Sequence, residues 1–185
     1  MPERVHTVIK VGGALLDAPD AFAWIIKELE AVPRDGSVLI VPGGGPFADM
    51  VRAVDRKFGL GDSTAHWAAV LAMDQYAWIL ADKVPRSTVV EDLIVNPPDT
   101  LPIFAPYAWL RAHDSLPHSW TVTGDSIAAF IAWSAGARRL LLVKLAPSTD
   151  PYFKSATPPD VDLETRIVIA GGLLPWDRAW DNDIP

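Results

Sequence analysis

The sequence predicts an α/β protein, a three-layer αβα sandwich around a mostly parallel central sheet. Apolar runs at 5–11, 37–41 and 139–145 have the length and continuity of parallel strands that are buried on both faces. Segments with helical spacing of apolar residues separate these runs, so strands and helices alternate along the chain. No repeat or linker-like stretch divides residues 1–185, which we interpret as a single domain.

Helical periodicity and turn residues predict the remaining elements in order. The predicted helices are at 18–31, 46–57, 63–82, 106–112 and 125–136. Shorter extended segments are predicted at 87–91, 101–105 and 166–170. Asp17 and Asp20 are candidate caps of the first helix, Pro46 opens the second, and Gly136 is the expected stop of the last.

The second and third helices each have a predicted inner face. The second helix carries Met50 and Val54 on one apolar side, and the third carries Leu71 and Tyr76. We expect both sides to pack against the core of the domain.

Composition and charge exclude several classes of function. The net charge of −7 argues against a broad nucleic-acid-binding surface, and the absence of cysteine excludes disulfides, thiolate catalysis and cysteine metal sites. No uninterrupted apolar run is long enough to span a membrane, and residues 1–11 are too short and too charged for a signal peptide. We therefore expect a cytoplasmic protein without nucleic-acid or membrane partners.

The first strand ends in a glycine turn that carries a lysine, Lys10-Val11-Gly12-Gly13. A loop without side chains exposes backbone N–H groups to an anion, and a following helix N-terminus adds partial positive charge. A lysine there can neutralise charge between the donor and acceptor phosphates. A solvated lysine before an ordinary strand-to-helix turn explains these residues equally well.

The second strand ends in three consecutive glycines, Gly43, Gly44 and Gly45. Three glycines cost backbone entropy on folding, which favours a nest of amides for an anionic or polar substrate. The alternative is a tight turn that packs against a neighbouring helix. Neither glycine turn matches the Walker pattern or the dinucleotide-binding fingerprint.

Two more charged residues are placed where a catalytic site would use them. Asp125, in Thr123-Gly124-Asp125, stands at a predicted helix start, where it can orient a lysine or contact a metal. Helix capping explains the same position without any chemistry. Lys144 lies near the end of an apolar strand and either faces the same cleft as Lys10 or extends outward at the strand edge.

Polar residues also surround the start of the third helix. Asp62 can receive a cationic part of a substrate, and His66 and Asp74 interrupt an otherwise apolar helix. The alternatives are a cap for Asp62, a hydrogen-bonded core histidine for His66 and a solvated face for Asp74. His66 and His118 do not form a convincing ligand set, so we predict no protein metal site.

Taken in order, these motifs resemble those of the amino acid kinase family. Residues 8–16 are similar to its Lys-x-Gly-Gly-Ser-x-Leu phosphate loop, and residues 41–47 to its substrate-side glycine loop. Residues 123–129 are similar to its Thr/Asn-x-Asp-x-Ala-Ala stretch, and residues 140–144 to the strand that follows it. Within the family, the chain resembles a small uridylate-kinase-like branch, which includes a methanofuran-biosynthesis kinase of (5-aminomethyl-furan-3-yl)methyl phosphate.

The resemblance implies a compact amino acid kinase fold, an acceptor-side half at 1–120 and a shortened nucleotide-side half at 121–185. It implies transfer of a phosphoryl group from ATP, with Mg²⁺ carried by the nucleotide, to a small phosphorylated acceptor, and a homo-oligomeric protein. The implied catalytic residues are Lys10, Asp125 and Lys144. The implied phosphate- and nucleotide-binding residues are Gly12, Gly13, Lys144, Tyr152 and Phe153. The implied acceptor-binding residues are Gly43, Gly44, Gly45, Asp62, His66, Trp67 and Thr123.

The chain departs from the family pattern on the nucleotide side. The segment 144–148, Lys-Leu-Ala-Pro-Ser, stands where the family usually has Asp-Gly, and no Gly-Gly-Met-x-x-Lys element is visible. Gly171-Gly172 also lacks the usual Gly-Thr-x-Ile strand. Two alternatives therefore stay open: a kinase for another acceptor, such as a nucleoside monophosphate or a carboxylate, and a nucleotide- or anion-binding protein that has lost turnover.

Overall fold

A computed structural model of the chain describes residues 5–93 and 99–172 and has the predicted α/β architecture. Its sheet has six strands in the order β3-β4-β2-β1-β5-β6, and every pairing is parallel. The strands are β1 Thr7–Val11, β2 Val38–Pro42, β3 Ser87–Val90, β4 Leu101–Phe104, β5 Arg139–Lys144 and β6 Glu164–Ile169. The helices are α1 Pro19–Glu30, α2 Gly45–Phe58, α3 Asp62–Lys83, α4 Tyr107–His113 and α5 Gly124–Ser134.

Strand β1 lies at the centre of the sheet, between β2 and β5. Its last residue, Val11, pairs with Pro42 of β2 and with Val143 of β5. The carboxyl ends of three strands therefore lie at one edge of the sheet. The chain extends from β1 in one direction through β2 and in the other through β5, and ligands of open α/β sheets bind at such a switch point.

Core residues cover both faces of this sheet. Val8 of β1 belongs to a cluster on one face with Phe130 of α5, whereas the next residue, Ile9, belongs to a cluster on the other face with Ile25 of α1 and Leu80 of α3. Successive side chains of a strand point to opposite faces, so these two clusters form the two interlayer cores. The predicted three-layer arrangement is confirmed.

The predicted inner faces of α2 and α3 are partly wrong. Met50 is 65% exposed and Val54 is 37% exposed, and no residue of α2 is buried. The reason is that α2 packs against α3 and the turn after β1 rather than over the strands. Leu71 of α3 is exposed too, whereas Tyr76 is buried as predicted.

One predicted helix end is confirmed, and the predicted caps of α1 are wrong. Gly136 has a φ of 67° just beyond α5, so it ends this helix as predicted. Asp17 and Asp20 make no capping hydrogen bond, because Ala18 is the N-cap of α1.

Asp74 is not a solvated residue, since its Oδ1 accepts a hydrogen bond from the Tyr107 N–H at 3.1 Å and links α3 to α4. Within 5–93 and 99–172, no helix has the length and apolar character needed to cross a membrane.

Candidate active site

The two glycine turns meet at one edge of the sheet. Val11 and Pro42 are paired at the ends of β1 and β2, so the turns that follow them lie side by side. A Cβ added to Gly13 would lie 2.1 Å from the Gly45 nitrogen, and one added to Gly43 would lie 2.7 Å from the Gly13 nitrogen. Only glycine permits two backbones to approach this closely. Tight packing of the turns accounts for these glycines and also gathers their amides in one place.

Helix α2 begins within the second glycine turn. Its N-cap is Gly44, and a Cβ there would lie 2.4 Å from the Ala48 Cβ. Gly45 has a φ of 54°, a conformation that favours glycine. The first N–H groups of a helix have no intrahelical partner and carry partial positive charge. With no side chain capping it, this helix N-terminus can bind an anion.

A shared carboxylate joins lysines from two neighbouring strands. Lys10 of β1 places its Nζ 2.8 Å from Asp125 Oδ1. Lys144, at the end of β5, donates from its Nζ to Asp125 Oδ2 and to the carbonyl oxygen of Ser148. Lys144 therefore faces Asp125 together with Lys10 and does not extend outward. Two ammonium groups therefore share one carboxylate beside the glycine turns.

Burial determines the electrostatics of this cluster. Lys10 and Asp125 are both buried. Burial lowers the pKa of the Lys10 ammonium, and the Asp125 carboxylate offsets only part of that effect. Burial alone would raise the pKa of Asp125, but its contacts with Lys10 and Lys144 outweigh burial and hold the pKa below the usual value. Asp125 is thus a carboxylate at neutral pH and is unsuited to act as a base.

Asp150, in the loop after β5, holds the start of α5. Its Oδ2 accepts hydrogen bonds from Thr123 N at 3.1 Å, Thr123 Oγ1 at 2.7 Å and Ser126 N at 3.0 Å, and its Oδ1 accepts one from the Ser126 hydroxyl. Because Asp125 lies between these two partners, the cap also fixes the carboxylate that pairs with both lysines. Sequence reasoning assigned Asp150 no role, since a cap supplied from a distant loop has no local spacing signal.

A cavity of about 230 Å³ lies beside the two turns. The predicted site residues that line it are Lys10, Gly13, Gly43, Gly44, Gly45, Asp62, His66 and Thr123. Gly12 and Asp125 adjoin this lining through Gly13 and Lys10, and Lys144 adjoins it through Asp125. The structure therefore brings most of the predicted site together at the carboxyl edge of the sheet.

Three predicted binding residues lie away from the cavity lining. Trp67 packs its ring edge-on against His66, at a centroid distance of 4.9 Å, with the Arg111 guanidinium 4.7 Å from its ring centre. Tyr152 and Phe153 pack against the core cluster that contains α5. These contacts give all three aromatic residues a packing role in the structure.

The sequence did not identify one wall of the cavity. Arg52 of α2 lies with its guanidinium carbon 4.7 Å from the centre of the Trp120 ring, and the indole Nε1 donates to Asp55 Oδ2 at 2.7 Å. Arg52 and Trp120 both line the cavity. The contact joins segments far apart in the chain, so no local spacing in the sequence indicates it.

Comparison with known proteins identifies the family of this site. The sequence model of the amino acid kinase family matches residues 6–148. The chain belongs to the amino acid kinase family. Its glycine turns, the paired lysines and Asp125 all fall within the matched residues.

Individual relatives of this amino acid kinase family member show how far the likeness extends. A (5-(aminomethyl)furan-3-yl)methyl phosphate kinase of Methanocaldococcus jannaschii is 27% identical over 141 residues, which are 73% of this chain and 63% of the relative. The chain thus spans less than two thirds of that relative's length.

Two solved structures share the fold. The uridylate kinase from Archaeoglobus fulgidus superposes with a TM-score of 0.58 at 19% identity, covering 80% of this chain and 68% of its own. The UMP kinase from Ureaplasma parvum gives a TM-score of 0.51 at 18% identity, covering 76% of this chain and 66% of its own. At these identities the likeness establishes the fold and leaves the substrate open.

Proposed function

We propose that the chain is an ATP-dependent kinase that phosphorylates (5-(aminomethyl)furan-3-yl)methyl phosphate and releases the corresponding diphosphate and ADP. The observation that carries this proposal is the convergence of two glycine turns on a buried Lys10–Asp125–Lys144 cluster. Such a site offers backbone donors for two phosphates and two lysine ammonium groups beside them, as phosphoryl transfer requires. The named relative supports the choice of acceptor.

In the proposed reaction, each turn holds one of the reacting groups. The amides of Gly43, Gly44 and Gly45, with the N-terminus of α2, bind the acceptor phosphate. Lys10 and the amides of Gly12 and Gly13 hold the transferring phosphoryl group. An acceptor phosphate oxygen attacks the γ-phosphorus of ATP, and the bond from that phosphorus to the β-phosphate oxygen breaks.

Lys144 and Asp125 support this transfer without exchanging a proton. Lys144 stabilises charge on the donor side, and Asp125 keeps both lysines in place. A phosphate acceptor is already ionised at neutral pH, so no general base is needed. Mg²⁺ neutralises charge on the nucleotide phosphates when bound. It fits a site in which Asp125 is already engaged by two lysines, because the nucleotide itself can hold the ion.

Asp62 is the proposed contact for the aminomethyl group of the acceptor. Its carboxylate lines the cavity at the start of α3, so it can pair with a substrate ammonium. The indole of Trp120 lines the same cavity and offers an aromatic surface for the furan ring.

An acceptor panel tests the proposal. The purified chain is incubated with ATP, Mg²⁺ and either the aminomethylfuran phosphate, UMP or glutamate, and ADP release and the phosphorylated product are measured. We expect acceptor-dependent ADP and a diphosphate product only with the furan phosphate. Turnover with UMP or glutamate instead would contradict the assigned acceptor and keep the kinase assignment.

The altered 144–148 segment favours a second candidate, a nucleotide-binding protein without turnover. Lys144 is bonded to the Ser148 carbonyl within that segment. Saturable ATP binding with no acceptor-dependent ADP for any member of the panel would support this candidate and reject the kinase.

The assembly and location of the chain are further parts of the proposal. We propose a homo-oligomer, because Met50, Phe58 and Trp78 expose large apolar side chains on α2 and α3. We also propose a cytoplasmic location, and the net charge of −7 supports the proposed absence of nucleic-acid partners. Sedimentation equilibrium of the purified chain would show a dimer or larger species, and a monomer at all concentrations would contradict it.

A further inference from the structure

Two histidines and an aspartate meet beside the cavity, a grouping that the sequence did not predict. His66, on the second turn of α3, has its Nε2 3.2 Å from Asp114 Oδ2. His118, in the segment after α4, has its Nε2 3.2 Å from the same oxygen. The ligand-capable atoms of all three side chains lie within 4.8 Å of one another. We call these residues the His-Asp-His cluster.

Burial makes the cluster unusual. The side chains of His66 and Asp114 are 3% and 4% exposed, and that of His118 is 28% exposed. His66 Nε2 is buried, and its contact with Asp114 Oδ2 is 3.2 Å long. Two imidazole nitrogens that face one buried carboxylate oxygen form a set of metal-ligand atoms, which points to a bound cation.

We propose that the His-Asp-His cluster binds a divalent transition-metal ion, with Zn²⁺ as the best match. Imidazole nitrogen and carboxylate oxygen bind Zn²⁺ at about 2.0–2.2 Å, so neighbouring ligands of a tetrahedral ion lie about 3.3 Å apart. The two distances of 3.2 Å in the cluster agree with that edge length. Three protein ligands leave a fourth position for water or another small ligand.

The surroundings of the cluster fit a metal site. The Nδ1 of His118 lies 2.7 Å from the Ser63 hydroxyl, a partner that fixes the ring as the outer contacts of metal-bound histidines do. Asp114 Oδ1 is occupied by the Leu116 N–H at 2.9 Å, which leaves Oδ2 to face the histidines. The two imidazole rings are stacked 4.2 Å apart, so a shared ion requires a tilt of the more exposed His118 ring.

A metal ion at this place would fasten the segment after α4 to the start of α3. That segment continues directly into Ser119, Trp120 and Thr123, which line the cavity. We therefore assign the ion a role in holding this wall of the cavity. Its binding to the protein is independent of whether the cavity accepts the proposed substrate.

Metal titration of the untagged, chelator-treated full chain tests the proposal. Calorimetry with Zn²⁺ and visible absorption with Co²⁺ are expected to show one ion per chain, with the d–d bands of a tetrahedral nitrogen- and oxygen-ligated site. Zn²⁺ is also expected to raise the melting temperature. Absence of saturable binding by the folded wild-type chain would overturn the proposal.

Matched variants locate the ion. His118→Ala and Asp114→Asn are expected to lower Zn²⁺ affinity by at least about tenfold and to abolish the rise in melting temperature. His113→Ala is the control, because His113 stacks on Trp109 outside the cluster. Equal Zn²⁺ affinity in the wild type and the three variants would place the ion elsewhere and reject the site. A loss of Zn²⁺ affinity in His113→Ala alone would do the same. Circular dichroism identifies any variant that fails to fold, and the remaining cluster variant then decides.

Discussion

The proposed acceptor side and the proposed donor side of the site are built differently. The proposed acceptor side is a cavity lined by the Gly43–Gly45 turn, α2 and α3, and this turn is interlocked with the one that follows β1. The proposed donor side consists of Lys144 and the loop from there to Asp150. It lies next to the edge strand β6, on which Ile167 and Ile169 are exposed. Backbone contacts set the shape of the first region, whereas a few ion pairs and hydrogen bonds order the second. Substitutions are therefore expected to affect the two sides in different ways.

The largest effect is expected where the two sides join, at Lys10. Replacing it with methionine keeps most of the volume but removes the cation between donor and acceptor phosphates. We expect kcat to fall by about 10³-fold while the fold is retained. Steady-state kinetics and circular dichroism measure both, with Lys27→Met on the exposed face of α1 as the control. An unchanged kcat in a folded Lys10 variant would remove this residue from the mechanism.

Gly13→Ala tests the contact between the two turns, at the border of the two sides. The new Cβ would lie 2.1 Å from the Gly45 nitrogen, so the turns must separate. We expect a loss of about 1–3 kcal/mol in unfolding free energy and a rise in both KM values, because one turn holds the transferring phosphoryl group and the other holds the acceptor phosphate in the proposed reaction. Gly61→Ala is the matched control, because nothing lies within 4 Å of its added Cβ. An unchanged KM for either substrate would contradict the assignment of one turn to each substrate.

On the donor side, Asp150→Asn weakens the cap of α5. Asparagine has one acceptor oxygen where aspartate has two, because its other terminal group is an NH2 donor. Part of the hydrogen bonding to Thr123 and Ser126 is therefore lost. We expect about 1 kcal/mol less stability in urea unfolding and a fall in kcat without a comparable rise in acceptor KM. The exposed Asp160→Asn is the control. A change confined to acceptor KM would contradict the assignment of Asp150 to the donor side.

Asp74, behind the cavity, is expected to affect the stability of the fold and not catalysis. Burial raises the pKa of Asp74 to about 6. The native state therefore retains a proton that the unfolded state loses, so unfolding free energy falls as the pH rises from about 4 to about 6. At pH 7.5, Asp74→Asn should raise stability by about 1–2 kcal/mol, since an amide oxygen can still accept from Tyr107.

The pH profile of that variant is the decisive measurement. Asp74→Asn should flatten the decline of unfolding free energy between pH 4 and 6, whereas the exposed Asp82→Asn should leave it unchanged. A decline of the same size in both variants would assign the pH dependence to another group.

Local patterns predicted the elements of the fold well. Apolar runs gave the strands, and the two glycine turns together with Lys10 gave the centre of the site, because each lies within a few consecutive residues. The inner face of α2 was predicted wrongly, since periodicity reveals an apolar side but not the neighbour that it meets. Met50 and Val54 are exposed for this reason.

Contacts between distant segments were beyond the reach of the sequence. Asp125 offered both a capping and a lysine-orienting interpretation, and only its distance to Lys10 distinguishes them. Asp150 acts on α5 from another loop, and Asp114 and His118 of the segment after α4 meet His66 of α3. Each depends on tertiary packing, which no spacing rule within one element describes.

The parallel pairing of β1 with β5 has a consequence for engineering. Lys10 and Lys144 extend from adjacent strands, whose spacing of about 4.8 Å is fixed by backbone hydrogen bonds. Replacing the segment after α4 or the outer turns of α2 would leave the separation of these two cations unchanged. The sheet therefore fixes the distance between the two lysines. Cavity-lining segments from other proteins can be grafted around it to change the acceptor, while the positions of Lys10 and Lys144 are kept.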